Sequence, residues 1–436
     1  MRLSTSLRLN AQKGLVTPYD PTLTLSLQFA TRQAYVSDFG PLPTFTNATT
    51  TARTYVGSDG LLKTAAINVP RIEFDPVTRQ CLGLLIEEQR QNLMARSEDI
   101  TIAPWSTGAT GTTANQATSP DGSVTADSLS ETTSNAQHYI LNACSVTTGT
   151  VYTASVFVKK GNGATAPDWI AFGFISAGFG SARVAFNVQT GSFGNTTGVT
   201  STRAVQFPNG WWRISVTATA TATTSSGGLL LNFTQNNNTS AIIPGYTGQT
   251  TSDIFIWGAQ FEAGSFASSY IPTTTTSLVR SADVCSITGA AFTGFYNQTE
   301  GAMVFKGIKQ ALQPTVTPSY LTVDDATAGN RIILYGGTAE ACNVNAGGVA
   351  QANIGGVTQV AANTLFGIST RYKVNDFAFS LNGGAVSTDI LGTVPTVTQM
   401  PLGSRLNLNF MGGHIHTIQY FNAIKTNAQL QALSTP

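Results

Sequence analysis

His138, His414 and His416 are the three histidines in 436 residues, so the usual side chain for general-base work is scarce. His414 and His416 stand two apart in HIHTIQYFN, a segment that reads as a strand, and that spacing points both rings to one face. Such a pair can supply two ligands to a metal ion, and three copies around a symmetry axis would supply six. No Cys or carboxylate is adjacent to the pair in sequence. Two histidines on a sheet surface is therefore the plainer reading, and no metal or other cofactor is expected. The neighbouring carboxylates are Glu87-Glu88 and Asp324-Asp325. A glycosidase holds two carboxyl groups about 5 to 9.5 Å apart. Asp324 and Asp325 instead open a hairpin turn, where Asp bonds its own backbone. Glu87 and Glu88 fall in a short helical pattern with Arg90 and Arg96 close enough for ordinary ion pairing. No catalytic group is expected.

Sugar binding requires less: an exposed aromatic face for the apolar side of a pyranose, with polar groups beside it. Trp211 and Trp212 are adjacent in NGWWRISVTATA, so on a strand they point to opposite faces. If Ile214 and Val216 face the core, Trp212 joins them. Trp211 then shares the outer face with Arg213, Ser215 and Thr217. Trp211 and Arg213 are the candidates for a glycan site or an interface, the competing role for Trp211 being to pack under a neighbouring loop, domain or protomer. Trp169, Trp257 and Tyr270 fall in apolar runs that read as core. Trp105 precedes the first strand of a sandwich, as a plug between segments would. Arg280 and Asp283 in LVRSADV are placed to pair with each other at the exit from that sandwich, fixing the junction.

The elements that position these residues are strands. From residue 100 the chain turns rich in Thr, Ser, Ala, Gly and Asn, with short apolar runs such as VYTASVFVKK, WIAFGFISAGF and DIFIWGAQFE separated by NG, GNG and SGG turns. Many strands at that spacing with little helical pattern predict antiparallel sandwiches. After the linker-like PTTTTSLVRSADVCSITG a second set follows, including AMVFKGIK, NRIILYGG and DFAFSLNGG. Before residue 100, Leu23, Leu25, Leu27 and Phe29 alternate as one strand, and GLLIEEQRQNLMARSED (83–99) carries weak helical spacing. TNAQLQALSTP closes the chain as a two-turn helix, capped by Thr426 or Asn427 and burying Leu430 and Leu433.

At 436 residues two to four domains are expected, at roughly 100 to 200 residues each. Charged residues make only 10% of the chain, and 23 basic against 22 acidic side chains leave a net charge of +1. No global field would draw in nucleic acid or an anionic membrane. No run approaches the roughly 18 apolar residues of a membrane helix, and MRLSTSLRLNAQKG lacks the apolar stretch of a secretory signal. Cys81, Cys144, Cys285 and Cys342 are far apart, which fits buried reduced thiols. Residues 1–100 hold 10 of the 23 basic and 9 of the 22 acidic residues, which suggests a different surface there and a boundary near residue 100.

Three stretches resemble a known family. SDGLLKTAAINVPRIEFDPVTRQCLGLLIEEQRQNLMARSEDITIAPW (58–105) is similar to the segment that precedes a carbohydrate-binding-module-like sandwich in tailed-bacteriophage fibre and appendage proteins. IWGAQFEAGSFASSYIPTTTTSLVRSADV (256–284), with NGWWRISVTATA, resembles the last strands and exit of that sandwich. DDATAGNRIILYGG, RYKVNDFAFSLNGGAV and GGHIHTIQYFNAIKTNAQLQAL resemble a concanavalin- or laminin-G-like jelly roll from the same proteins. The resemblance spans about residues 55 to 436 and leaves the first 40 uncovered. It implies an all-β protein: an extended N-terminal virion-attachment region (1–95), a first sandwich (96–284) and a jelly roll (290–436). It further implies a non-enzymatic virion component, made in a bacterial cytoplasm. Its partners would be other virion proteins of capsid, neck or tail, a homotrimeric assembly and host surface polysaccharide, with no nucleic acid and no membrane insertion. A capsid, neck or tail decoration protein is the alternative, followed by a polysaccharide-degrading enzyme.

Overall fold

The structure, a computed structural model, describes residues 20–47, 53–237, 243–310, 317–356 and 358–436. Strands take 49% of the described residues and helices 6%, so antiparallel sheets carry the architecture described. Two β-sandwiches result. In the first, a sheet of six strands in the order Thr110–Ala117, Ala126–Glu131, Asp253–Ala263, Val151–Lys160, Trp212–Thr219, Ser201–Gln206 packs on a second six-stranded sheet. Apolar side chains at alternate positions meet between the sheets, among them Phe172, Ile214, Val216, Leu231 and Phe261, all at 0 or 1% exposure.

The second sandwich is built from both ends of the chain. Its larger sheet places Leu23–Leu27 beside Gly413–Phe421, which pairs on with Glu300–Lys309 and Leu365–Lys373. Cys81–Ile86 also pairs with Gly413–Phe421, and Ile72–Phe74 with Cys81–Ile86. Thr44–Thr46 forms the edge of the facing seven-stranded sheet beside Val284–Thr288. Leu25, Leu27, Phe29, Phe45, Leu84 and Ile86 therefore belong to the same core as Phe305, Ile368 and Ile418. At about 1.5 to 3 kcal/mol for each buried Leu, Ile or Phe side chain, residues 23–86 contribute substantially to a core that the remaining strands leave incomplete. Residues 23–46 and 72–86 are thus interleaved with the jelly roll. Residues 1–19, the outer part of the expected attachment region, lie outside the described residues.

The first sandwich is consequently an insert. The chain leaves the larger sheet after Ile86, enters the first sandwich through Arg90–Asn92, and returns through Leu278–Arg280, which pairs directly with that entry strand. The helix expected over 83–99 is absent and strands Cys81–Ile86 and Arg90–Asn92 stand there. On a helix, Glu87, Arg90 and Asn92 would point largely to solvent, yet here all three are buried. Asn92 replaces a backbone partner: its Nδ2 donates to the carbonyls of Ala259 (3.1 Å) and Ile271 (2.9 Å), and its Oδ1 accepts from the amide of Phe261 (3.1 Å). Tertiary hydrogen bonding outweighs the weak helical spacing. The final helix is Asn427–Ser434, capped by Thr426 in a capping box with Gln429, and it buries Leu430 while Leu433 packs against the same cluster. Among the described residues no helix is long and apolar enough to cross a membrane. The four cysteines are free, with Cys144 partly buried and the others buried.

Candidate functional site

Where the insert joins the second sandwich, charges are concentrated and dry. Arg71 Nη2 lies 2.8 Å from Glu87 Oε2 and 2.5 Å from Asp283 Oδ2, Arg280 Nη1 lies 2.9 Å from Glu87 Oε2, and Arg53 Nη2 is 3.4 Å from Asp283 Oδ1. Each of these side chains is at most 2% exposed. Ser269 ties the cluster to the loop leaving the first sandwich: its amide and hydroxyl both donate to Glu87 at 2.7 Å, and its Oγ accepts from Arg280 at 2.7 Å. Burial by itself would raise the Glu87 pKa, but Arg280, Arg71 and the Ser269 hydrogen bonds together hold it well below the usual carboxylate range. Arg280 and Asp283 do not pair with each other as their spacing suggested. Each takes a different partner, because Arg280 lies on the return strand beside Glu87 while Asp283 lies beyond it beside Arg71 and Arg53. Glu88 does pair with Arg90 (Nε to Oε1, 2.7 Å), from the link between two strands and not from a helix. The high charge content before residue 100 is thus partly interior, and its role is to lock the junction.

Trp211 lies on the outer face of the first sheet and is 1% exposed. Its partners are Phe157, Phe207, Trp257 and Tyr270, with Val56 and Leu62 from the hairpin Thr54–Val56/Leu62–Thr64 in the same cluster. The indole Nε1 donates to the carbonyl of Thr118 at 2.9 Å. Trp211 thus takes the competing role weighed for it, packing under another part of the chain: the N-terminal hairpin covers it and leaves no open aromatic platform there. Trp257 and Tyr270 are buried in this second cluster, on the opposite side of the sheet from the main core. Trp212 packs with Phe186 at the rim of that core, half-buried against Gly191. Trp105 is part of the first sandwich's core and donates through Nε1 to the carbonyl of Arg96 at 2.9 Å, so it seals the entry strand and not a gap between domains.

Beyond the covered aromatics, the same sheet face opens into a cleft of about 280 Å³ between the sandwiches. One wall is Arg203, Val205 and Phe207 with Arg213, and the other is Ile308, Gln310, Asn363 and His414 from the second sandwich. Glu73 and Asp75 from the strand and turn after Arg71 form the floor. Pairing of Val205 with Arg213 and of Arg203 with Ser215 puts both arginines on one face. Arg213 Nη2 donates to Ser155 Oγ at 3.2 Å and the guanidinium lies over the Phe157 ring, 5.4 Å from its centroid. Burial lowers the Arg213 pKa, with Glu262 acting in the opposite sense.

His414 Nε2 is 2.6 Å from Glu73 Oε2, so the ring meets the carboxylate through Nε2 and Nδ1 lies outside that bond. That Nδ1, Gln310 Oε1 and Arg213 Nε are buried atoms without a hydrogen-bond partner among the described residues. His416 is beside it with Nε2 also unpartnered, and burial, reinforced by His414, lowers its pKa to about 4. The HxH pair is thus coupled, but its carboxylate partner is Glu73, which is far away in sequence. Among the described residues no three His, Cys, Asp or Glu side chains are grouped to hold a metal. Asp324 and Asp325 bond the amides of Ala326 and Thr327, both at 2.9 Å, within their own turn. Arg203, Glu73, Gln310 and Asn363 carried no signal in the sequence, since their convergence depends on four segments far apart along the chain.

No family model matches this sequence, and no curated protein matches it. Among solved structures, the chain is similar to the CBM40 of a Ruminococcus gnavus IT-sialidase (15% identity, 34% of this chain and 88% of that one, TM-score 0.28). It is also similar to the tandem CBM22 domains of Paenibacillus barcinonensis Xyn10C (10% identity, 77% and 99%, TM-score 0.25). A third similarity is to domains LG4-5 of the mouse laminin alpha1 chain (9% identity, 65% and 84%, TM-score 0.22). Similarity at these levels transfers no ligand and no activity to this chain.

Proposed function

We propose that this chain is a non-enzymatic appendage protein of a tailed-phage particle that adheres to a host surface glycan through the cleft between its sandwiches. The observation that carries the binding role is the cleft itself: guanidinium, amide and aromatic side chains from three separate segments line one concave space of small-ligand size. The phage assignment rests on the ordered resemblance of residues 55–436 to appendage proteins. Binding is favoured over hydrolysis by how the floor carboxylates are engaged. Glu73 accepts from the Val56 amide (3.1 Å) and bonds His414, and Asp75 Oδ1 accepts from the amides of Val77 (2.9 Å) and Thr78 (2.7 Å). Groups held in this way orient a loop and are poorly placed to exchange protons with a substrate. Several copies, as in a trimer, would convert weak single-site affinity into firm attachment.

A second reading has its own support. Ile390 and Leu391 are 71% and 72% exposed on the second sandwich, as suits a piece of virion architecture that binds only other virion proteins. A glycan array probed with the full chain, combined with imaging of the chain in its particle, separates the two. Retention of at least one oligosaccharide, lost on filling the cleft by Val205→Trp, supports adhesion. An array with no binding, together with both sandwiches packed among capsid or tail subunits, overturns it.

A further inference from the structure

The polar groups of the cleft are unequally matched. Both oxygens of Glu73 are engaged, and Asp75 is held by two backbone amides. On the opposite wall, Arg213 uses one nitrogen on Ser155 and keeps Nε unpartnered. Arg203 is solvent-exposed, and its guanidinium makes no hydrogen bond or ion pair among the described residues. Arg203 and Arg213 stand diagonally on neighbouring antiparallel strands, a separation of about 7 to 8 Å between their backbones that lets two long side chains reach one small anion. A free guanidinium fork matches a carboxylate or sulfate bidentately. Phe207 beside it offers an apolar face, and Gln310 and Asn363 opposite offer amides for hydroxyl groups.

We propose that the cleft selects acidic glycans, with Arg203 gripping a sugar carboxylate or sulfate, Arg213 adding a second positive charge, and the amide wall reading the hydroxyls. This rests on the glycan-binding reading above and narrows its ligand to one charge class. The two arginines also face Glu73. Since that carboxylate is fixed by His414 and Val56, it shapes the ligand's approach but cannot move onto Arg203 without breaking two hydrogen bonds.

The test is calorimetric titration of the full chain with a uronic-acid oligosaccharide, the same oligosaccharide after reduction of its carboxyl groups, and a sulfated neutral oligosaccharide, at low and high salt. The expected result is binding of the acidic ligand that weakens with salt. The carboxyl-reduced form should bind about 10- to 100-fold more weakly, and Arg203→Ala should cost a similar factor. Arg203→Lys should recover part of it, since the charge remains while the fork is lost. Binding of the sulfated ligand alone, also lost in Arg203→Ala, would assign the anion as sulfate and still support the proposal. Equal affinity for acidic and reduced forms, or an Arg203→Ala variant that binds normally, overturns the anion selectivity while glycan binding stands. No binding of any oligosaccharide, charged or neutral, overturns both. Arg203 lies exposed on an edge strand, so its variants should keep the parent thermal unfolding transition, which is measured alongside.

Discussion

Glu87 carries its charge at 1% exposure, held by two guanidinium groups and by Ser269. Removing one member of such a set leaves the others buried and unmatched, which costs about 3 to 5 kcal/mol. Glu87→Gln is expected to lower unfolding free energy by an amount in that range, read from urea denaturation. A loss below about 1 kcal/mol would mean that the network contributes little. The pH sign follows from the depressed pKa. The Glu87 contribution is fully present above the carboxylate range of the unfolded chain, near pH 4.3, and is lost as pH falls toward the lower folded value. The wild type should therefore lose stability in acid more steeply than the Gln variant does. None of this was legible from the pair Glu87-Glu88, because the Glu87 partners Arg71 and Arg280 come from either side of an inserted domain. By contrast, the opposite facing of Trp211 and Trp212 is a local property of a strand, readable from spacing alone. The burial of Trp211 is not, since the hairpin that covers it lies about 150 residues earlier, and strand alternation carries no information at that range.

Among the elements, Cys81–Ile86 is the hinge of the construction, since it joins the N-terminal strands to Gly413–Phe421. Gly83 within it has φ +102°, and a Cβ there would come within 2.3 Å of the Ile415 carbonyl oxygen. Gly83→Ala is expected to cost about 2 kcal/mol or more, from backbone strain and steric overlap together. Gly149→Ala is the control: φ is +78° with open space around the missing Cβ, so only the conformational part, about 1 to 2 kcal/mol, should appear. Equal losses in the two variants would refute the steric contribution at Gly83. Strand identity was largely visible in the sequence, through β-branched runs and NG-type turns. The helical spacing over 83–99 misled because Leu84, Leu85 and Ile86 are all buried, and a fully buried strand has no polar face to reveal a period of two.

For the whole molecule, the separation into attachment region and jelly roll is a division of sequence and not of structure. A fragment of residues 284–436 lacks Leu25, Leu27, Phe29, Leu84 and Ile86 from its core and bares an edge of Gly413–Phe421. It is expected to aggregate or remain unfolded by circular dichroism and sedimentation, whereas residues 20–436 fold. A monomeric, cooperatively folding 284–436 fragment would contradict this. The same interleaving has a consequence in time. Leu27 emerges from the ribosome long before its partner Ile418 exists, a delay of roughly tens of seconds at about 5 to 20 residues per second. The inserted sandwich can close during that interval, while Leu23–Leu27 and Cys81–Ile86, paired on one side with Ser37–Phe39 and Ile72–Phe74, wait for Gly413–Phe421 on the other. A chain stopped short of residue 413 leaves one edge of Leu23–Leu27 and of Cys81–Ile86 open and lacks His414 from the cleft wall.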